Sequence, residues 1–333
     1  MHNIFVTGGA GFIGSHLVDR LISCDDVERV TVLDALTYAG DRRNLTDAAA
    51  SSKLRFIHGD IRDHDVVSAV LPGHDWVVHL AAESHVDRSL RDVGQSVRTN
   101  VMGTQVILDV AMRTGITKLV HVSTDEVYGP LPTGAADEDA PLLPTVPYAA
   151  SKACSDILAN SYHVSLGVPV CITRSSNNFG PRQHPEKLIP RFLGLLLAGE
   201  PVTIHGRGGH TRNWLHVEDN CAGIELVLRH GVPGQIYNIG GGTDLTTLEL
   251  TKLLLHATRQ NADAITYVPD RRANDIRYSM TWHKIAALGF TPHHDFTAAL
   301  ADTIAWFRAN PERLTPKHTT TAAGAVLPEA ATA

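Results

Sequence analysis

The sequence predicts an α/β fold built on a doubly wound parallel sheet, with a smaller C-terminal lobe. Short apolar runs alternate with amphipathic segments through the first half of the 333 residues. A glycine-rich turn follows the first apolar run and opens the first amphipathic segment. After about residue 175 this alternation gives way to loops rich in proline and glycine. Alternating strands and helices are typical of a parallel sheet that is covered on both faces.

The apolar runs of the first half are each short enough to form a single strand. We expect these strands at residues 3–8, 29–34, 54–60, 75–82 and 118–124. Apolar residues at helical spacing predict helices in the intervening sequence, such as those at 11–23 and 97–115. Right-handed crossovers between such strands produce a doubly wound sheet.

The second half predicts fewer regular elements. A helix is expected at residues 217–231 and a further strand at 237–242, so the smaller lobe interleaves with the end of the sheet. We therefore divide the chain into a first domain at 1–175 and a lobe at 176–314 that returns in part to the sheet. The alanine- and threonine-rich tail at 315–333 lacks periodicity and is expected to be disordered.

The composition argues against several classes of partner. Lys and Arg number 29 against 35 Asp and Glu, which gives a formal charge of −6 and no basic surface for a nucleic acid or an anionic membrane. No apolar run approaches the ~20 residues that span a bilayer. The first strand begins at once and leaves no room for a signal peptide, so a cytoplasmic protein is expected.

The cysteines and histidines predict neither a disulfide nor a metal site. Cys24, Cys154, Cys171 and Cys221 lack CxxC spacing, which favours free thiols in a reducing cytosol over disulfides or zinc. The 19 histidines include no HExxH pattern.

Residues 7–14 read TGGAGFIG and place glycine at 8, 11 and 14. Gly8, Gly11 and Gly14 leave room for a tight turn and for close approach of a pyrophosphate to the backbone. The helix that follows presents free amide groups to the phosphates. GxxGxxG is a variant of the GxGxxG device. Glycine turns also occur without a ligand, but the strand–turn–helix context favours a dinucleotide site in a Rossmann-like sheet.

Asp34 ends the second predicted strand, 20 positions after Gly14. An acidic side chain there can bind the adenosine ribose hydroxyls, and it would repel a 2′-phosphate, which favours NAD over NADP. The alternative is an aspartate that only caps a helix or a loop. Asp60 and Ile61, after the third strand, are candidates for the adenine pocket.

Tyr148 and Lys152 lie in the segment YAASK at positions i and i+4, so they share one face of a helix. A nearby ammonium lowers the pKa of a phenol, which would let Tyr148 accept a proton near neutral pH. A tyrosine and a lysine at this spacing can also be ordinary surface residues. Their combination with the glycine turn favours a catalytic pair.

The segment STDEVYG at 123–129 places Thr124, Asp125 and Glu126 where the fifth strand ends. Two adjacent carboxylates repel each other and are costly to bury. Close carboxylates also titrate at different pH values, so one can act as an acid while the other acts as a base. The alternative is a solvated loop in which neither side chain has a chemical role.

These motifs together resemble the extended short-chain dehydrogenases/reductases, and more narrowly the dTDP-glucose 4,6-dehydratase family. The resemblance covers most of residues 3–280. Its most specific stretches are AAESHVDRS, the TDE triplet and NNFGP…HPEKLIP. The others are TGGAGFIGSHLVD, LDALTYAG, GDIRD, TNVMGT, PYAASKACSD, RNWLHVED and YNIGG.

The resemblance implies an internal redox cycle on a sugar nucleotide. Tyr148, helped by Lys152, would take the proton of the 4-hydroxyl while NAD takes the hydride from carbon 4. Thr124 would form a hydrogen bond with the oxygen on carbon 4. Glu126 would remove the proton of carbon 5, and Asp125 would protonate the departing 6-hydroxyl. The hydride would return to carbon 6, giving a 4-keto-6-deoxy sugar nucleotide.

The resemblance also implies the residues that hold each ligand. Those expected to bind NAD are Gly8, Gly11, Phe12, Ile13, Gly14, Asp34, Asp60, Ile61, Ala81, Thr99, Tyr148 and Lys152. Those expected to bind the sugar nucleotide, dTDP-glucose above all, are Ser84, His85, Asn178, Glu186, Lys187, Leu188, Arg212, Asn238, Arg271, Asn274 and Arg277. Taken singly, each of the latter could equally be a loop hydrogen bond or a surface charge.

One segment departs from the family pattern. The family has D-R-P-G-H-D-x-R-Y where this chain has DRRANDIRY at 270–278. The loss of proline and glycine changes the backbone conformations that the turn can adopt. The preference for the base or the sugar could therefore differ, which leaves a 4,6-dehydratase of another nucleoside-diphosphate hexose as an alternative.

Four further functions are open on this fold. Asp125 and Glu126 argue against a 4-epimerase or a UDP-glucuronate decarboxylase, because neither reaction expels the 6-hydroxyl. The tyrosine–lysine pair argues against a non-enzymatic NAD sensor, and an oxidoreductase with an outside substrate would consume NAD.

The resemblance implies a homodimer through the helices around 98–114 and 148–166. Apolar residues there that suit either a core or an interface are Val106, Ile107, Val110, Ile157 and Leu158.

Overall fold

Strands and helices alternate through the first half of the chain in this computed structural model, which describes residues 1–270 and 275–315. The strands are β1 His2–Thr7, β2 Val27–Asp34, β3 Leu54–His58, β4 Trp76–His79, β5 Lys118–Thr124, β6 Val170–Ser175, β7 Asn177–Phe179, β8 Val202–His205, β9 Thr211–His216, β10 Ile236–Ile239, β11 Thr243–Thr246 and β12 Ile265–Val268.

The helices cover both faces of the sheet and build most of the lobe. They are α1 Phe12–Ile22, α2 His64–Val70, α3 Val86–Arg91, α4 Val93–Ser96, α5 Gly103–Thr114, α6 Pro147–Leu166, α7 Leu188–Leu197, α8 Val217–His230, α9 Thr247–Thr258, α10 His283–Ala286 and α11 Phe296–Ala309. Short 3-10 turns occur at Arg42–Leu45, Ala48–Ala50, Asp125–Tyr128, Ala262–Ala264 and Pro311–Arg313.

The large sheet has seven parallel strands among the described residues, in the order β3-β2-β1-β4-β5-β6-β10. This order confirms the predicted doubly wound α/β fold. The strand order reverses between β1 and β4, and ligands of such sheets bind at the carboxyl ends of the strands beside that switch point. All five strands predicted for the first half are present, with ends that differ by a few residues.

Apolar side chains alternate between the two faces of the sheet, as the period of a strand requires. On β1, Ile4 and Val6 join the core under α1 and α8, whereas Phe5 joins the core under α5 and α6. All three side chains are fully buried. A third core, within the lobe, packs α7, α9 and α11 around Phe179.

The lobe is inserted before the sheet is complete. β7, β9 and β11 form a three-stranded sheet and β8 pairs with β12, but β10 lies beside β6 in the large sheet. The strand predicted at 237–242 ends at Ile239, because Gly241 and Gly242 have φ of 124° and 71° and turn the chain away.

The helix predicted at 97–115 is not a single α-helix. Residues Val97–Met102 form a π-helix, and α5 begins at Gly103. A Cβ atom at Gly103 would lie 2.5 Å from Cδ1 of Ile61, so this junction packs directly on the segment after β3. α5 ends at Gly115, whose φ of 69° suits glycine.

The tail expected to be disordered lies, apart from Thr315, outside the described residues. None of the described helices is long and apolar enough to cross a membrane.

Candidate active site

A cavity of about 620 Å³ opens at the carboxyl ends of β1, β2, β4, β5 and β6. The segment between β7 and α7 and the first residues of β9 cover it from the lobe side. It therefore lies at the switch point of the sheet and is large enough for a drug-sized ligand.

The glycine turn forms the floor of one end of this cavity. Gly8 has φ of 72°, and a Cβ there would lie 2.7 Å from the amide nitrogen of Ala81. A Cβ at Gly14 would lie 2.2 Å from the carbonyl oxygen of Gly8. α1 begins at Phe12 without a side-chain cap at Gly11, so its first amide groups are available to an anion.

Asp34 joins the glycine turn to the loop after β2. One carboxylate oxygen accepts the Ala10 amide at 2.9 Å and the other accepts the Leu36 amide at 2.8 Å. Burial raises the pKa of this carboxyl, and the two backbone hydrogen bonds oppose the shift. Asp34 thus caps a loop and also lines the cavity, so its two suggested roles are compatible.

The other residues predicted to hold the dinucleotide line the same cavity. They are Gly8, Gly11, Phe12, Ile13, Gly14, Asp60, Ile61, Ala81, Thr99, Tyr148 and Lys152. Asp60 is paired with Arg62, which holds the pKa of Asp60 below its usual value although burial works against it.

Tyr148 and Lys152 lie on α6, and both are buried. The Lys152 amine donates to the Val122 carbonyl at 2.8 Å and lies 3.4 Å from Nε2 of His121. Burial lowers the pKa of Lys152 to about 8, with the Asp156 carboxylate opposing. Lys152 can therefore change its protonation state close to neutral pH.

The expected lowering of the phenol pKa by Lys152 is wrong for this structure. Burial holds the pKa of Tyr148 well above its usual value, and the charges of Glu126 and Asp125 add to that effect. A hydrogen bond with Thr124 lowers it. The reason is that the Lys152 amine is directed to Val122 and His121 rather than to the phenol.

Thr124, Asp125 and Glu126 follow β5 in one tight turn. Thr124 caps the 3-10 turn Asp125–Tyr128 by accepting the Glu126 amide at 3.3 Å, and its hydroxyl donates to Oδ1 of Asp125 at 3.2 Å. Asp125 is only 4% exposed, and all three residues line the cavity. The two carboxyl groups therefore do not belong to a solvated loop.

The two neighbouring carboxyl groups differ in their surroundings. Burial, and next the charge of Glu126, raise the pKa of Asp125 to about 7. Burial also raises the pKa of Glu126, but Lys187 and Arg212 oppose that shift. Near neutral pH the site can hold one group protonated and one ionised, as acid–base work on adjacent atoms requires.

Most of the residues predicted to bind the sugar nucleotide also line the cavity: Ser84, His85, Asn178, Glu186, Lys187, Leu188 and Arg212. The Lys187 amine donates to the Ser84 carbonyl at 2.7 Å. The Arg212 guanidinium donates to the Asp275 carbonyl at 2.9 Å. Two cations thus approach the carboxyl pair from the lobe.

Two predicted residues lie elsewhere. Asn238 is fully buried behind the cavity. Its side chain accepts a hydrogen bond from the Tyr128 hydroxyl at 2.7 Å and donates one to the Thr281 carbonyl at 3.0 Å. Arg277 donates to the Gly134 carbonyl at 2.7 Å. Neither lines the cavity, because each is engaged in tying loops together. Arg271 and Asn274 lie outside the described residues.

Sequence reasoning missed a buried network behind Lys152. Asp156 lies one turn further along α6. Its carboxylate accepts a hydrogen bond from Nε of Arg174 at 2.9 Å, and its other oxygen lies 3.4 Å from Nε2 of His121. Its spacing of four residues from Lys152 repeats the spacing of Tyr148 and was the available signal. Tyr38 was also missed. Its hydroxyl accepts a hydrogen bond from the Ser84 amide at 3.3 Å, and the Arg88 guanidinium lies 4.1 Å from the centre of its ring.

No cluster of histidine, cysteine or acidic residues suited to a metal ion occurs in residues 1–270 and 275–315. Cys24, Cys154, Cys171 and Cys221 are free thiols.

Comparison with known proteins assigns the family. Residues 5–303 match the model of the family described as GDP-mannose 4,6 dehydratase. A dTDP-glucose 4,6-dehydratase of Actinoplanes sp. is 51% identical over 313 residues, which cover 92% of this chain and 98% of that protein. The chain belongs to the nucleotide-sugar 4,6-dehydratase family. A glycan biosynthesis protein of Haloferax volcanii is also 45% identical, over 93% of this chain and all of that protein.

Solved structures of relatives have the same fold. DesIV of Streptomyces venezuelae, a dTDP-glucose 4,6-dehydratase with NAD and a second ligand bound, has a TM-score of 0.92 at 48% identity, and the match covers 93% of this chain and 98% of that one. A UDP-glucose 4-epimerase of Thermotoga maritima has a TM-score of 0.85 at 30% identity, with coverage of 93% and 99%. The family fold thus hosts both activities, and the site must distinguish them.

Proposed function

We propose that this protein is an NAD-dependent dTDP-glucose 4,6-dehydratase that forms dTDP-4-keto-6-deoxyglucose and water. The observation that carries the proposal is the adjacent pair of carboxyl groups, buried Asp125 and partly buried Glu126, in one cavity with Tyr148 and Lys152. An epimerase needs a base at carbon 4 but no acid for the 6-hydroxyl, so the pair favours dehydration.

The residues at the β1–β2 end of the cavity fit NAD. The glycine turn has no room for side chains, α1 presents uncapped amide groups, and Asp34 lies where a ribose would require an acceptor. When bound, NAD supplies a hydride acceptor whose oxidised ring carries a positive charge, which favours an ionised phenol nearby.

The protein's own groups divide the proton transfers. Tyr148 accepts the proton of the 4-hydroxyl, and Lys152 holds positive charge near that end of the cavity. Glu126 removes the proton of carbon 5, which a ketone at carbon 4 makes acidic, and later returns it. Asp125, whose pKa of about 7 lets it carry a proton at neutral pH, donates to the departing 6-hydroxyl.

The lobe supplies cations for the diphosphate. Lys187 and Arg212 line the cavity beside the carboxyl pair, and a planar guanidinium suits phosphate.

The names of the relatives support dTDP-glucose as the substrate. We infer that residues 1–175 bind NAD and residues 176–314 chiefly bind the sugar nucleotide. The altered DRRAND segment leaves a different nucleoside-diphosphate hexose as the alternative substrate.

The first experiment incubates the purified protein with dTDP-glucose without added NAD and measures the product mass. Loss of one water without net reduced NAD is expected, because the hydride returns to the substrate. An unchanged mass, followed by water loss with NAD and UDP-, GDP- or CDP-glucose, would transfer the proposal to another nucleotide. Formation of epimers or carbon dioxide alone would contradict the assignment of Asp125 and Glu126.

We also propose a cytoplasmic homodimer. The π-helix, α5 and α6 carry large apolar side chains at the surface: Met102, Met112, Ile157 and Val164 are 58%, 37%, 61% and 73% exposed. Exposed apolar side chains on these elements support an interface there. Among the residues suggested from the sequence, Val106, Ile107 and Val110 are buried in the core and Leu158 is partly buried against it, whereas Ile157 is exposed.

The dimer is tested by sedimentation of the wild type and of Ile157→Asp. A dimeric wild type and a monomeric variant are expected, because a charge introduced at an apolar interface is costly to bury. Tyr267→Asp, exposed to a similar degree on the lobe, is the control. A monomeric wild type would exclude the proposal.

A further inference from the structure

The protein holds the guanidinium of Arg212 through one of its three nitrogens. Nη1 donates to the Thr211 carbonyl at 2.8 Å and to the Asp275 carbonyl at 2.9 Å. Within residues 1–270 and 275–315, Nε and Nη2 form no hydrogen bond, and the guanidinium has no carboxylate partner. The part of the side chain that carries two parallel N–H groups is therefore left unused by these residues.

Nε and Nη2 form the side edge of a guanidinium, and their N–H groups match two oxygens of a phosphate. Arg212 lines the cavity near the start of β9. A cation in a cavity wall that lacks a carboxylate partner favours an anionic ligand. The side edge of Arg212 is thus available to the diphosphate of a sugar nucleotide, whereas Nη1 is already bound by the chain itself.

Tyr278 packs against the same guanidinium. The centre of its ring lies 4.4 Å from Cζ of Arg212, within the range of a cation–π contact. The Tyr278 hydroxyl donates to the Asp275 carboxylate, and both side chains are buried. Burial holds the pKa of the Tyr278 phenol well above its usual value, so the hydroxyl stays protonated and continues to donate. The ring that supports Arg212 is therefore fixed by Asp275.

Asp275 connects this arrangement to the start of the catalytic helix. The Thr145 hydroxyl lies 2.7 Å from each of the two Asp275 carboxylate oxygens and donates to that group. Thr145 lies two residues before α6, which carries Tyr148. Asp275 thus holds Arg212 twice: its carbonyl accepts from Nη1, and its carboxylate anchors the ring against which the guanidinium packs.

We propose that Asp275 and Tyr278 are positioning residues, which fix the guanidinium of Arg212 so that its side edge binds the diphosphate of the substrate. The inference rests on the proposed function for the identity of that substrate. Neither side chain has to contact the substrate in this role. They restrict the rotation of a long side chain before the ligand arrives, so less conformational entropy is lost on binding.

The test measures nucleotide binding by the holoenzyme and its variants. Calorimetry gives the affinities for dTDP, UDP, GDP and CDP, and the tightest of the four is then used throughout. Tyr278→Phe, which keeps the ring without the hydroxyl, should bind it about 10-fold more weakly, and so should Asp275→Asn. Tyr267→Phe, at an exposed tyrosine of the lobe, is the matched control and should bind like the wild type.

A double-mutant cycle separates positioning from a general loosening of the lobe. Arg212→Met removes the guanidinium and should weaken binding by about 10- to 100-fold. Adding Tyr278→Phe to Arg212→Met should then cost less than about twofold more, because the hydroxyl acts through the guanidinium. Fully additive losses would overturn the inference. So would a Tyr278→Phe variant that binds like the wild type, or a wild type that binds none of the four nucleotides.

A second readout uses a ligand without phosphate. The nucleoside that corresponds to the chosen nucleotide, measured by its competition with that nucleotide, should bind Tyr278→Phe as tightly as it binds the wild type. Equal losses for nucleoside and nucleotide would show damage to the whole pocket and would contradict the positioning role. In turnover, the loss should raise KM rather than lower kcat.

Failure of this inference can be distinguished from failure of the proposed function. A wild type that binds the nucleotide but releases no water from the matching nucleotide hexose would contradict the proposed function. The binding cycle requires no turnover, so it would still decide whether Asp275 and Tyr278 act through Arg212.

Discussion

The adjacent side chains Thr124, Asp125 and Glu126 carry the chemistry that separates a dehydratase from an epimerase. Their order could be read from the sequence, because a strand end places three consecutive residues at the sheet edge. The charges around them could not, since Lys187 and Arg212, which oppose the rise in the pKa of Glu126, lie in distant parts of the sequence. Asn238 shows the reverse case: its motif matches the family, but the structure uses its amide to join loops.

Substitution of the acid should separate the two halves of the reaction. Asp125→Asn removes the proton that leaves with the 6-hydroxyl, so water loss should slow by about 10²–10⁴-fold while oxidation at carbon 4 persists. Product mass and the absorbance of the reduced dinucleotide measure the two steps. Asp244→Asn, on the lobe surface beside Asn213, is the control. Dehydration at the wild-type rate would refute the role of Asp125.

The pH dependence of water loss should have two limbs. Asp125 must be protonated and has a pKa of about 7, so the rate should fall as the pH rises through that value. Glu126 must be ionised and has a raised pKa, so the rate should also fall on the acid side. Single-turnover rates measured across this range test both limbs. An alkaline limb that persists unchanged in Asp125→Asn would assign it to another group.

Asp156 should matter for stability because it neutralises a buried cation. Burial opposes ionisation of Asp156, but His121 and Arg174 hold its pKa below the usual value. Asp156→Asn would leave Arg174 without its ion pair and should cost about 3–5 kcal/mol in the free energy of unfolding. Denaturant titration measures this, with Asp109→Asn on α5 as the control. A cost similar to that of the control would contradict the assignment.

At the level of elements, the glycine turn and α1 show how much local sequence can specify. The spacing of Gly8, Gly11 and Gly14 predicted both the turn and the start of α1, because a Cβ at Gly11 or Gly14 would crowd the Gly8 carbonyl within the same short segment. The π-helix before α5 was not predictable in this way. Gly103, the first residue of α5 after it, packs on Ile61, which is distant in the sequence, and helical periodicity alone does not distinguish a π-turn from an α-turn.

The glycine turn yields a prediction about cofactor retention. In Gly14→Ala the added methyl would lie 2.2 Å from the Gly8 carbonyl oxygen, so the turn must shift away from its phosphate-binding geometry. We expect the purified variant to lose NAD on gel filtration, measured as the absorbance of released nucleotide. Gly209→Ala, where a Cβ meets nothing within 4 Å, should retain it. Equal retention by the two variants would contradict this role.

For the whole molecule, the sequence predicted the class of fold and the position of the site but not how the lobe meets the sheet. Alternating strands and helices imply a doubly wound sheet, and the switch point then fixes the cavity. Pairs such as Arg88 with Glu186, or Tyr38 with His184, join segments about 100 or more residues apart. No local pattern indicates such partners, so the cover of the cavity emerged only from the structure.

Buried neutral histidines should make the whole protein sensitive to acid. Burial lowers the pKa of His121, His184 and His216 to about 4 in each case. The unfolded chain binds protons at these sites near pH 6.5 and the folded chain does not, so stability should fall between pH 6.5 and 4. Each such histidine contributes a slope of about 1.4 kcal/mol per pH unit in that window.

Thermal unfolding from pH 7.5 to 4.5 measures the effect. His121→Gln removes one of these groups and should flatten the slope, whereas His64→Gln, at the exposed start of α2, should not. A melting temperature that is constant down to pH 4.5 would contradict the prediction.

The late return of β10 to the large sheet has a consequence for how the chain folds. During synthesis β6 is an open strand edge until the 60 residues between Ser175 and Ile236 have emerged. Unpaired edges favour aggregation, and contacts of high sequence separation slow folding. Chains truncated before residue 236 lack the strand that pairs with β6, so they should accumulate as insoluble species.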